Sequence, residues 1–92
     1  MAGDQQQARE RAHHQALELA RAGRWDEAHE LAQSHDDALS CLIHGYLHRV
    51  EGDLGNATYW YRRGGEALPD NDLADEAARL QALAEAAAGR TP

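Results

Sequence analysis

The stretch Cys41-Leu42-Ile43-His44-Gly45-Tyr46-Leu47-His48-Arg49-Val50-Glu51-Gly52-Asp53-Leu54-Gly55-Asn56-Ala57-Thr58-Tyr59-Trp60-Tyr61-Arg62-Arg63 decides how this chain folds. Leu39, Leu42, Ile43, Tyr46, Leu47 and Val50 recur at helical spacing and make one broad apolar face. Gly52 suits the left-handed position that closes a helix, and Asp53 suits the cap that opens the next. The helix before the turn is expected over roughly Asp37 to Glu51, and the one after it over Leu54 to about Ala67. Pro69 then breaks the chain.

Working outward, a first helix is expected from about Gln6 to Ala22, ended by Gly23, and a second from about Trp25 to Gln33. Asp26 and Glu27 sit in the first turn of the second helix, where acidic groups favour the helix dipole. After Pro69, one of Asp70, Asn71 and Asp72 caps a last helix carrying Leu73, Ala77, Leu80 and Ala84, which stops near Gly89. There is also an internal echo: Gly23-x4-Ala28 recurs as Gly52-x4-Ala57. The resulting organisation is a single helical domain over 1–92, with hairpins over 6–35 and 36–69 and a closing helix over 70–89.

The order Cys41-x2-His44-Gly45-x2-His48, then Ala57-x3-Tyr61, then Pro69, with Gly52 at the turn, resembles the tetratricopeptide repeat. Gly45, Gly52, Ala57, Tyr61 and Pro69 match the markers of that repeat. His44 and His48 stand where it places the Leu and Tyr that pack helix on helix. The resemblance implies an all-α fold: about five antiparallel helices in a right-handed array, with 6–35 a degenerate repeat and 70–89 a C-terminal cap. The run His44-Gly45-x2-His48-Arg49-x-Glu51-x-Asp53-x-Gly55-Asn56-Ala57-x-Tyr59-Trp60-Tyr61-Arg62-Arg63 also resembles a family of small uncharacterised helical proteins, and it brings no activity with it.

Composition narrows the function classes. The formal charge of −7, with Arg as the only strong base, disfavours nucleic acid or an anionic membrane as partner and fits a cytoplasmic protein. One cysteine, Cys41, cannot form an intrachain disulfide, and no apolar run is long enough to cross a bilayer. Ser34, Ser40 and Cys41 lack the glycine setting of a nucleophile elbow, and there is no phosphate loop, so no enzyme is expected. His13 and His14 lie in a polar stretch and are expected in solvent.

Cys41, His44, His48 and Glu51 share one stripe of the third helix. The stripe spans roughly 15 Å at the helical rise, so all four cannot hold one ion. A site would use His44 and His48 with Glu51, and take another ligand from His29, Glu30, His35 or Asp36. Two imidazoles and a carboxylate suit Zn, Ni or Fe. The same pair can equally serve as a hydrogen-bonded seam to Tyr61 or Asn56. Amphipathicity alone puts these histidines in water. The repeat pattern puts them against Leu54, Ala57, Tyr61 and Gly64, and both hold if the third helix is central.

The remaining candidates point to a protein or peptide partner. Leu39, Leu42, Tyr46 and Arg49 would line a concave face fit for a peptide or a second copy of the chain as a homodimer. Trp60, Arg62 and Arg63 are residue types that dominate binding hot spots. On the sequence, a non-enzymatic protein-interaction module is the leading reading and metal binding the alternative.

Overall fold

A computed structural model of the chain describes residues 2–89, and all regular structure among them is helical. The helices are α1 (Ala2–Arg21), α2 (Trp25–Gln33), α3 (Ala38–Val50), α4 (Leu54–Arg63) and α5 (Leu73–Gly89). α3 packs against each of the other four, whereas the backbone of α4 comes close to α3 alone. No helix is long and apolar enough to cross a membrane.

Local chemistry sets the ends. Asp37 caps α3, accepting from the Ser40 N–H at 3.2 Å and the Ser40 hydroxyl at 2.7 Å. Asp53 does the same for α4 through the Asn56 N–H and side-chain amide. Asp72, the third of the three candidates, takes the Asp75 N–H at the start of α5. At the other end, Gly52 adopts φ 84°, and the N–H groups of Gly52 and Asp53 close back on Arg49 and His48. Gly23 repeats that closure after α1, so the echo in the sequence is a repeated backbone turn.

Two boundaries differ from expectation. α1 begins near Ala2, because Asp4 and the glutamines that follow continue the helix instead of forming a lead-in. α4 stops at Arg63 and not near Ala67. Gly65 takes φ 88° and, with Glu66, closes the helix onto Arg62 and Tyr61.

The core is built from Ala16, Leu17, Ala28, Ala32, Leu42, Ile43, Leu47, Tyr61, Leu80 and Ala84. With no Phe in the chain, small residues set the helix spacing. A Cβ on Gly45 would come 2.6 Å from Cδ2 of Tyr61, so glycine lets α3 and α4 close together there. Gly64 meets Leu42 and the Ala38 carbonyl in the same way. Thus Gly45 lies against Tyr61 and the Ala57 backbone, while His44 meets α4 at Trp60.

Glu76, fully buried on α5, locks the closing helix down. It accepts from the Tyr61 hydroxyl at 2.6 Å, the Asn71 amide at 2.9 Å and the Arg79 guanidinium at 2.8 Å. Burial pushes its carboxyl pKa up, but the bonds from Arg79, Asn71 and Tyr61 outweigh burial and hold it below the usual range. Arg79 also grips Glu66, and Arg49 holds Asn71 by its side chain and its carbonyl. The connection between α4 and α5 is therefore pinned at both ends.

Candidate metal centre

His44 and His48 are one helical turn apart on α3, and His29 reaches them from α2. One ring nitrogen from each of the three lies within 4.8 Å of the other two. The ring centroids are 4.4 Å (His29–His44), 5.2 Å (His29–His48) and 5.0 Å (His44–His48) apart. His44 is 3% exposed, His48 8%, and His29 is half-buried. A tetrahedral ion with ordinary metal–imidazole bonds needs nitrogens roughly 3.4 Å apart, so the three rings must draw closer to share one.

Two tryptophans wall the cluster. Trp25 stacks on His29 at 4.7 Å and is itself anchored by its indole N–H donating to the Leu47 carbonyl. Trp60 stacks on His44 at 3.8 Å from α4. These rings fix the imidazole planes and keep water from much of the site. Trp25 and His29 have the same i,i+4 spacing as His44 and His48, which puts the two rings on one face of α2. Trp60 has no such spacing signal, because its role comes from the close approach of α4 to α3.

Burial favours the neutral form of His29 and His44. Burial, reinforced by His29 and His48, pulls the His44 pKa down to about 4. Burial and then His48 also lower that of His29, against the pull of Glu51 and Asp26. Neutral imidazole is the form that offers a lone pair to a metal. His44 Nδ1 is buried with no hydrogen-bond partner among the described residues, and an unsatisfied buried nitrogen is costly unless something binds it.

Glu51 has a different place from the one expected. Its carboxylate lies 2.5 Å from His48 Nδ1. With Nδ1–H donating to that carboxylate, a neutral His48 would offer Nε2 to an ion. Glu51 therefore orients a ligand and stands outside the three-nitrogen set. Asp53 shares a second grouping with His48 and Glu51, but both carboxylates are more open and Asp53 is engaged in capping α4.

Of the helper ligands read from the sequence, His29 joins the cluster, and Glu30, His35 and Asp36 do not. Cys41 is buried elsewhere on α3, its thiol 3.7 Å from the Asp36 carbonyl and its pKa pushed up by burial. His13 is a correction: it is buried, not in solvent. Its Nε2 bonds Asp37 at 2.8 Å, tying α1 to the cap of α3.

The proposed partner-binding residues do not form one surface. Leu42 is 5% exposed and belongs to the core, because α5 and Gly64 cover it. Leu39 and Tyr46 are half-buried and packed on that core. Arg49 is spent on Asn71. Trp60 is half-buried against His44, while Arg62 and Arg63 are exposed on α4, with Arg63 lying 5.2 Å over the Trp60 ring.

Compared with family models, curated proteins and solved structures, the chain matches none of them.

Proposed function

We propose that this protein binds one transition-metal ion, with Zn(II) the best fit, through His29, His44 and His48. The observation that carries the proposal is the convergence of three imidazoles from two helices, two of them buried, flanked by Trp25 and Trp60. Imidazole donors suit Zn(II), Ni(II) and Cu(II), and replacing the expected carboxylate by a third nitrogen moves the preference away from Fe(II). An ion here would join α2 to α3, so binding would also stabilise the fold.

The test is metal content after equilibrium dialysis. The parent should retain one Zn(II) per chain, and a His44→Ala, His48→Ala double variant should retain none. Equal retention by both would sink the proposal. Ni(II) or Cu(II) should in addition quench tryptophan fluorescence, because both indoles of the chain stack on ligand rings.

The tetratricopeptide-like reading of the array is part of this proposal. Its support is the shared turn at Gly23 and Gly52 and the Gly45–Tyr61 contact, at the markers of that repeat. A second reading, interaction with an acidic peptide, keeps support on α4. Arg62 and Arg63 make no ion pair among the described residues, in a chain of charge −7. If an Arg62→Glu, Arg63→Glu variant keeps every partner that the parent co-purifies, that surface is not a docking site.

A further inference from the structure

We infer that the ion held by His29, His44 and His48 keeps an open coordination position, and that this position takes a small anion in exchange for water. The inference rests on the metal-binding reading above and specifies what the site is for. Among the described residues, no fourth His, Cys, Asp or Glu joins the set of three nitrogens. Glu51, one helical turn after His48, is engaged with His48 Nδ1. A structural zinc site closes its sphere with four protein ligands, whereas three leave a place for an exogenous one.

Charge then selects the ligand class. Ligating imidazoles bring no charge of their own, so the divalent charge stays on the ion, and the carboxylates of Glu51, Asp53 and Asp26 that stand around the cluster lie outside the three-nitrogen set. Trp25 and Trp60 make the surroundings poor in water, which strengthens the attraction between that charge and an anion. His29 is only half-buried, so one side of the cluster is reachable from solvent. The exchange is a simple ligand substitution: the metal–water bond breaks, the metal–anion bond forms, and no electron moves.

The experiment uses Co(II), whose visible bands report coordination number, with sodium azide as the anion. The parent loaded with Co(II) should show bands of a four- or five-coordinate ion, and azide should shift them along a saturable one-site curve. Glu51→Gln should keep the azide response while weakening Co(II) binding about 10–100-fold, as loss of a ligand-orienting group does. Should Co(II) bind with bands that azide leaves unmoved, the open position is disproved and the metal site stands. An azide response that appears only in Glu51→Gln would make Glu51 the fourth ligand and overturn the inference in the same way. If Co(II) gives no bands beyond those of the hydrated ion, the site and the inference both fall.

Discussion

The Glu76 network and the histidine cluster are both buried polar groups packed on α3 and its neighbours, yet their accounts differ. Around Glu76 the principal groups are paired: Tyr61, Asn71 and Arg79 donate to one carboxylate, and Arg79 is shared with Glu66. In the cluster, the three imidazoles bring nitrogens together without bonding one another, and His44 Nδ1 has no partner. A buried network that satisfies itself fixes a fold. A buried set of neutral donors that does not satisfy itself is poised for something else, and three imidazoles suit a cation. His13 Nδ1 also lacks a partner, but His13 already bonds Asp37 and no second ligand group stands beside it.

The sharpest way to break this contrast is to cut the satisfied network. Glu76→Ala leaves the Tyr61 hydroxyl and the Asn71 amide without their acceptor, while Arg79 keeps Glu66. We expect a loss of about 2–4 kcal/mol in urea unfolding, from the buried donors left unsatisfied and the space the side chain vacates. A loss under about 1 kcal/mol would mean that the network is dispensable.

The next effect is the response of the metal-free fold to acid. His44 stays neutral in the folded chain down to about pH 4, whereas it takes a proton near 6.5 when unfolded. Between these values the unfolded state binds more protons, so stability must fall as pH drops through that window. His29 adds to the same slope. The expected loss is on the order of 2 kcal/mol, read as a falling urea midpoint from pH 7 to pH 4 in the presence of a chelator. Asp37 behaves separately. Burial raises its pKa, but the bonds from His13 and Ser40 more than offset this and hold it well below the usual range. Its contribution is therefore lost only further down, as pH falls below about 3.8. A midpoint that does not change between pH 7 and pH 4 would contradict the buried, neutral state of His44.

The smallest effect has the opposite sign from the first. His44→Phe keeps an aromatic ring against Trp60 and removes the unsatisfied nitrogen. The metal-free variant should match the parent or exceed it by up to about 1 kcal/mol. It should also lose much of the pH 7 to pH 4 slope. A loss of 2 kcal/mol or more in the absence of metal would show that His44 carries a structural bond like those of Glu76.

The same contrast explains what could be read from the sequence. Helix number and the turns at Gly23 and Gly52 were legible because capping and periodicity are local. So was the His44–His48 pair, and His29 was named among four helpers. Its selection depends on how α2 crosses α3, which no local pattern encodes. Glu76 gave no warning: it sits among Asp75, Ala77 and Ala78, and its partner Tyr61 is 15 residues away. His13 misled for the same reason, since its partner Asp37 is 24 residues away. The concave face of Leu39, Leu42, Tyr46 and Arg49 looked free because the sequence does not show that α5 packs against that part of α3.

The most direct test is the thermal midpoint of two variants, with and without Zn(II) at pH 7. His44→Phe should melt at or above the metal-free parent and should gain nothing from Zn(II). Glu76→Gln should melt well below the parent yet rise on adding Zn(II) by as much as the parent does, by mass action on the folded state. A His44→Phe midpoint that climbs with Zn(II) as the parent's does would contradict the account.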